Sequence, residues 1–453
     1  MRAAVIGGGI AGLSAAYELA LAGADFVLYE ASDRFGGTVE TVHQQGFVIE
    51  CGPDAWVTEK PWARDLAVEL GIESELLPSN DAIRKTYIAE DGRLTAIPDG
   101  MRMMVPSDLA ALDASPLFSE NAKKAFRDEA GRAEALKHAA PSLDESVAAF
   151  VERHFGSEVA NKIAAPLLAG VFGGDIAQLS VRAVMPAFVR MEREHGSLIR
   201  GLQVSGKATR GDAIFTTLVS GLGTLIDRMI AKLPAKSLRL NTRVSNVARE
   251  GESWSVAGEN FDSVIVATPA DVTSGLVRPI DETAAALLPR HASSAVVVAL
   301  GFNVETAKSL RIPAGFGFLV PQDGEQNTLL AATFTHQKFA QRAPKGAVLL
   351  RAFFGGAAAE SLMGGDDAFL AQLAQSELAR YLGSLPLPDV TVVRRWPRSL
   401  PQYEVGHQER IAEFEARMAA IPGLACVGNA YHGVGLPDLI REGRAAARNL
   451  LSR

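Results

Sequence analysis

The residues of this chain best suited to chemistry are glycines rather than nucleophiles. Gly7-Gly8-Gly9-Ile10-Ala11-Gly12 has the spacing GxGxxG, and Glu30 stands eighteen residues beyond Gly12. In such a loop Gly7 permits a tight turn, Gly9 lets backbone approach a pyrophosphate, and Gly12 lets helix pack closely on strand. The anion is then held without a lysine, by the free N–H groups and partial positive charge where Ile10 and Ala11 open the helix. A carboxylate at Glu30 can accept both hydroxyls of a ribose. The chemistry is dinucleotide binding, and the motif by itself leaves NAD and FAD both open.

Elements of the right kind flank these residues. Arg2 to Ile6 reads as a short buried strand. Leu13, Ala16, Tyr17, Leu19 and Ala20 then recur at helical spacing, Gly23 ends the helix, and Phe26 to Tyr29 form a second strand, completing a βαβ unit. Further along, Leu238 to Val247 alternates as a half-buried strand, and Val264 to Pro269 follows as a buried one. Near the C-terminus Leu424 to Asn429 reads as a strand, followed by Gly433-Val434-Gly435 and a helix opening at Pro437. Two insertions separate these segments. The first, 101–208, is helical: Ser142 and Glu145 have capping-box spacing, and Val147, Phe150, Val151 and His154 recur on one face, with His154 read as a helix-surface residue. The second, 271–395, is strand-rich, with runs at Ala295–Phe302, Gly317–Val320, Leu329–Phe334 and Val348–Phe354.

Composition narrows the function class. The 453 residues are 48% apolar and 21% charged, which suits a chain of two or three domains and gives no sign of disorder. A net charge of -7 without any basic block excludes a nucleic-acid footprint. Cys51 and Cys426 lie far apart without CxxC spacing, so neither disulfides nor a zinc site is expected, and a reducing cytoplasm fits best. Ala3 to Tyr17 is uncharged like a signal peptide, but its glycines belong to the phosphate loop, and no apolar run reaches the ~20 residues of a spanning helix.

Beyond Glu30 come Ala31, Arg34 and Gly36-Gly37, then Gly46 to Glu50 and Gly52-Pro53-Asp54. Here the sequence resembles the superfamily of flavin-containing amine oxidases and porphyrinogen oxidases, which carries E-x-x-x-R-x-G-G and then E-x-G-P. The resemblance implies an α/β fold: a Rossmann-like FAD-binding domain, an interleaved mixed-sheet substrate domain and the helical insertion. The implied segments are 1–75, 209–270 and 396–453 for FAD, 76–100 and 271–395 for substrate, and 101–208 for the insertion. It also implies that Gly36 and Gly37 line the FAD diphosphate, that the Gly52-Pro53 turn lies by the flavin, and that the backbone of Val244 meets the adenine. The plainer alternatives are a surface salt bridge for Arg34 and a core residue for Val244. Gly428, Val434, Gly435 and the helix after them would face the flavin pyrimidine. Some relatives attach FAD through a cysteine in this region. Here Ala430 and Tyr431 follow Gly428-Asn429 and Cys426 sits within the strand, so noncovalent FAD is expected.

Wording along nearly the whole chain, including Arg84-Lys85-Thr86-Tyr87, Pro166 to Asp175, Met191 to Leu198, Arg395-Trp396-Pro397 and Gly433 to Asp438, is similar to the oxygen-dependent porphyrinogen oxidases of bacteria. Arg84 to Tyr87 and Gly433 to Asp438 look nearest to coproporphyrinogen III oxidases. Protoporphyrinogen IX oxidases share much of the pattern. The implied reaction is six-electron oxidation of the macrocycle by hydride transfer to flavin N5, with oxygen reduced to peroxide and no protein group catalytic beyond the flavin. Lys85 would meet a substrate propionate, with Arg84, Arg190 and Arg193 as weaker candidates, and Trp396 and Tyr403 would wall the pocket or pack against flavin. The implied partners are the porphyrinogen, oxygen, a transient contact with a ferrochelatase-type enzyme and a peripheral contact with the inner face of the membrane. A flavin amine oxidase or carotenoid desaturase, and a flavin-binding protein without turnover, are the rival readings. Tyr431-His432-Gly433 supplies at best half of an amine oxidase's aromatic cage.

Overall fold

The computed structural model describes residues 1–204, 213–322 and 328–452, so the expected boundary at 208/209 lies outside the described residues. Its first sheet has five strands, all parallel, in the order Leu238–Arg239, Asp25–Tyr29, Arg2–Ile6, Ser263–Val266, Leu424–Cys426. Ala3, Ala4 and Val5 are wholly buried, as a strand covered by helices on both faces must be. Register does the positioning. Ile6 lies opposite both Tyr29 and Val266, so the loops that follow at Gly7, Glu30 and Ala267 leave the sheet side by side at its C-terminal edge.

Helix Ile10–Leu21 packs on this sheet together with the C-terminal helix Leu436–Leu451. The two backbones nearly touch, since a Cβ on Gly443 would overlap the carbonyl of Ala11. Glu18 bonds Arg444 at 2.6 Å and Arg448 at 2.7 Å across the same crossing.

One strand is shorter than its alternation predicts. Leu238–Val247 pairs only at Leu238 and Arg239, while Val247–Glu250 opens a separate three-stranded antiparallel sheet. Backbone hydrogen bonds explain the break: the amides of Asn241 and Thr242 donate to the carbonyls of Ser32 and Glu30, both at 2.8 Å, with Asn241 at φ +52°. The segment bends over the end of the second strand instead of continuing the ladder.

The second sheet has seven strands, in the order Val390–Pro401, Ala292–Phe302, Val348–Gly355, Leu329–Phe334, Gly317–Leu319, Thr86–Glu90, Arg93–Ala96. It is mixed: only Gly317–Leu319 and Thr86–Glu90 run parallel. One face buries Val296, Val298, Leu300 and Phe302 under helix Asp367–Leu382. The other sets Ala299, Leu349 and Val392 against Phe47 and Ile49 of the hairpin Thr41–Gln44/Phe47–Glu50, which joins this sheet to the first half of the molecule. Its edge strand runs past residue 396 to Pro401.

The insertion is helical, with Phe118, Phe126, Phe150, Phe155, Ile163 and Phe188 in its core. Two expectations fail here. Helix Val147–Phe155 is capped by Ser146, whose Oγ accepts the Ala149 amide at 3.2 Å, rather than by a Ser142–Glu145 box. Glu145 is instead drawn forward into a bidentate pair with Arg153 at 2.5 and 2.6 Å. His154 is not on the surface: it is fully buried, bonded to Glu129 at 2.8 Å and Glu192 at 3.0 Å.

Candidate functional site

At the C-terminal edge of the parallel sheet two glycine loops lie side by side. Gly7 takes φ +106°, and a Cβ there would overlap the Ala267 carbonyl; a Cβ on Gly12 would overlap the Gly7 carbonyl. The amide of Gly36 donates to the Gly8 carbonyl at 2.8 Å, and a Cβ on Gly37 would come within 3.2 Å of the Gly9 Cα. Around Gly9 the space is open: a Cβ there would meet nothing nearer than the Gly37 Cα, at 4.0 Å. No side chain caps the helix that starts at Ile10, and its first turn holds no acidic residue. Unsatisfied amides facing open space fit a diphosphate.

Glu30 is oriented from two sides. Its Oε2 accepts the Gly8 amide at 2.7 Å, and its Oε1 accepts the Ser32 amide and hydroxyl at 2.8 Å. Oε2, with one donor, keeps a lone pair for a ribose hydroxyl, while Oε1 already accepts two. Ala31 follows in the exposed turn. Arg34 is an internal brace rather than a surface salt bridge: its guanidinium donates to the carbonyls of Phe35, Gly37 and Val39 and pairs with Glu40 at 3.4 Å. Val244 is buried beside a cavity of about 210 Å³ lined by Arg243, Ser245, Asn246, Ser255 and Ala257.

The turn Gly52-Pro53 is pinned from three directions. A Cβ on Gly52 would overlap the Thr38 carbonyl, one residue past the second glycine loop. The indole N–H of Trp396 donates to the Cys51 carbonyl at 2.7 Å, with the Arg34 guanidinium 5.6 Å from the ring centre. From below, Arg351 donates to the Gly52 carbonyl and pairs with Asp54 at 3.4 Å, while Lys338 meets both Asp54 oxygens at 3.0 Å. Burial pushes the Asp54 carboxyl up, but Lys338 and Arg351 outweigh it and hold it below the usual range. Glu50 is wholly buried with Arg342 at 3.1 Å, and burial raises it despite that partner.

In the C-terminal segment Gly428 takes φ +142° and the Val427 amide donates to the Val266 carbonyl at 2.9 Å. Tyr403 is 2% exposed: its hydroxyl donates to the Asn429 carbonyl at 2.6 Å and accepts the Gly433 amide at 3.1 Å. Its ring joins the core of the helical insertion and stacks on His407 at 4.0 Å. It ties the 429–433 loop to the insertion. Tyr431 turns into the core against Phe414 at 5.6 Å. Val434 packs against the insertion and Gly435 precedes the final helix, which carries Pro437 in its first turn. There Asp438, 4% exposed, meets Lys60 at 2.5 Å.

Arg84 and Lys85 stand apart from this group. Both side chains are exposed, Arg84 pairs with Asp81 at 3.3 Å, and the Lys85 carbonyl accepts the Phe316 amide at 2.7 Å at the start of strand Thr86–Glu90. The structure therefore brings together the glycine loops, Glu30, Arg34, Gly52-Pro53-Asp54 and Trp396. It adds charges to which sequence reasoning assigns no role: Lys60, Asp438, Glu50, Lys338, Arg342 and Arg351. Among the described residues no cluster of histidine, cysteine and acidic side chains could hold a metal, and no helix is long and apolar enough to cross a membrane.

The profile of the flavin-containing amine oxidoreductases matches residues 10–451. The chain is 33% identical to coproporphyrinogen III oxidase of Bacillus subtilis (strain 168), over 99% of this chain and 97% of that one. It is 31% identical to coproporphyrinogen III oxidase of Propionibacterium freudenreichii subsp. freudenreichii, over 99% and 90%. Among solved structures, a candidate protoporphyrinogen oxidase of Exiguobacterium sp. 255-15 superposes with a TM-score of 0.87 at 29% identity, covering 100% of this chain and 99% of that one. With a two-loop glycine cradle and a match that runs almost end to end, this chain belongs to the flavin-containing amine oxidoreductase family.

Proposed function

We propose that this chain is an FAD-dependent porphyrinogen oxidase that converts coproporphyrinogen III to coproporphyrin III in haem biosynthesis. The observation that carries the reading is similarity to coproporphyrinogen III oxidases over 99% of the chain, at 33% and 31% identity, so that cradle, mixed sheet and helical insertion are all included. In this reading residues 1–75, 209–270 and 396–453 hold FAD, 76–100 and 271–395 hold substrate, and 101–208 forms the helical insertion.

Bound FAD supplies the hydride acceptor, and oxygen takes the electrons on to hydrogen peroxide. The protein's part is placement. Amides of Gly9 to Gly12 and the Gly36-Gly37 loop hold the diphosphate, Glu30 the ribose, the backbone at Val244 the adenine, and the loop 428–435 the pyrimidine edge. Attachment is noncovalent: Cys426 lies in the strand Leu424–Cys426, and burial pushes its thiol up to about 12, away from the thiolate a covalent link needs. Lys85, with Arg84 beside it, offers a cation at the rim for a propionate, which a solvated point charge can steer without a fixed partner. Peripheral membrane contact and a transient encounter with a ferrochelatase-type enzyme belong to the same reading.

A second reading, protoporphyrinogen IX as substrate, is favoured by the Exiguobacterium structure. Steady-state rates on the two porphyrinogens separate them. A higher kcat/KM for coproporphyrinogen III is the expected result, and the reverse order overturns the first reading. Protein that is colourless and takes up no FAD overturns both.

A further inference from the structure

The charges buried between the two halves of the molecule do not balance. Lys338, Arg342 and Arg351 stand against Glu50 and Asp54, three cations facing two carboxylates, and the five side chains are between 0% and 15% exposed. A buried excess charge is costly unless something nearby compensates it. The Nε atoms of Arg342 and Arg351 are also buried without a hydrogen-bond partner. An excess of buried cations of this kind favours negative charge nearby.

The network is fastened to one short stretch of backbone. Arg351 bonds the Gly52 carbonyl, and Arg351 and Lys338 both bond Asp54. On its other side the same turn touches Thr38, next to the Gly36-Gly37 loop, and Cys51 takes the Trp396 indole. The turn thus lies between the cofactor cradle and the excess positive charge. Lys338 is also set over the faces of Phe215 and Phe339, at 4.7 and 5.1 Å, so its ammonium is held in place away from water.

We propose that Lys338 is a positioning residue for the flavin: by gripping Asp54 it fixes the Gly52-Pro53 turn, and with Arg351 it supplies a positive field that favours the negatively charged, reduced ring. This rests on the FAD reading above. In a dry interface such a field acts at much lower effective dielectric than in water. Asp54 opposes it by one charge while anchoring the turn, so the two residues of the pair pull the potential in opposite directions.

The test uses full-length, flavin-loaded protein and reads the midpoint potential of the bound flavin with its visible spectrum. Lys338→Met is expected to lower the reduced-to-oxidised ratio at fixed applied potential at least tenfold, about 30 mV for a two-electron couple, and Lys338→Arg to restore it. Asp54→Asn is expected to move the potential the opposite way. Opposite signs are what a merely structural role would not give. If Lys338→Met fails to fold, the Asp54→Asn and Lys338→Arg pair decides alone: a positive shift in the first with none in the second supports the proposal. Flavin-loaded variants with unmoved potentials, or with shifts of the same sign, overturn it. Wild-type protein that takes up no flavin overturns the FAD reading as well, and is told apart by its missing spectrum.

Discussion

The glycine cradle and the helical insertion are held together by opposite means. In the cradle backbone meets backbone: Gly36 bonds Gly8, Gly12 sits under the Gly7 carbonyl, and the helix that follows is left uncapped. In the insertion side chains close every gap. His154 bridges Glu129 and Glu192, Arg153 bonds Glu192 and Glu145, and Glu129 also takes the Ser197 hydroxyl and the Leu198 amide. A region that must receive an anion keeps its donors unspent, whereas a region that must only keep its shape satisfies them internally.

The strongest way to break the comparison is to put a side chain into each region. Gly12→Val should cut flavin content by roughly tenfold or more, because its Cβ cannot clear the Gly7 carbonyl and the helix must shift off the loop. Gly131→Ala, in the insertion, meets nothing within 4 Å and should leave flavin content unchanged and stability within about 0.5 kcal/mol. Absorbance ratios of the purified variants report the first effect and chemical denaturation the second. Equal losses in both would mean that the cradle is not special.

His154→Ala tests the other side. It leaves two buried carboxylates facing each other and should cost about 3–5 kcal/mol in the insertion while the cradle keeps its flavin. Acidity gives a milder version. Burial pulls the His154 pKa down, but the bonds to Glu129 and Glu192 outweigh it and hold it above 6.5. Its contribution is therefore complete below about 6.5 and is lost as pH rises through the higher folded value. His407, stacked on Tyr403 beside the 429–433 loop, goes the other way. Burial lowers it to about 4, so its contribution is present above 6.5 and lost as pH falls toward 4. Hydrogen exchange at pH 6 and pH 8, corrected for intrinsic rates, should show helix Val147–Phe155 loosening and helix His407–Ala419 tightening on going up. The same sign in both would refute the assignment.

The same contrast explains what can be read from the chain itself. A glycine's task is local, so Gly7, Gly9, Gly12 and Glu30 are legible from spacing within one βαβ unit, and the parallel sheet follows from its apolar runs. Val244 is expected within a strand and lies outside one, because alternation cannot reveal that Asn241 and Thr242 would rather bond Ser32 and Glu30 than extend a ladder. His154 shares a helical face with Val147, Phe150 and Val151, which are all core, and that face is the available signal for its burial. Its acceptors Glu129 and Glu192 lie 25 and 38 residues away, and the contacts from Lys338 to Asp54 and from Arg351 to Gly52 span 284 and 299. No local pattern encodes a pair at that separation.

The smallest expected effect falls where neither region holds the side chain. Lys85 is exposed, with only its backbone anchored to Phe316, so Lys85→Met should change stability by less than about 0.5 kcal/mol. Steering one propionate through a solvated charge is worth about 1 kcal/mol, which is roughly fivefold in KM for coproporphyrinogen III with kcat unchanged. Arg84 serves as the internal comparison, since its guanidinium is already shared with Asp81 and its removal should do less. A fivefold rise confined to KM would place the substrate's rim at this strand, outside both the cradle and the insertion. An unchanged KM in both variants would instead mean that this strand does not meet the propionates.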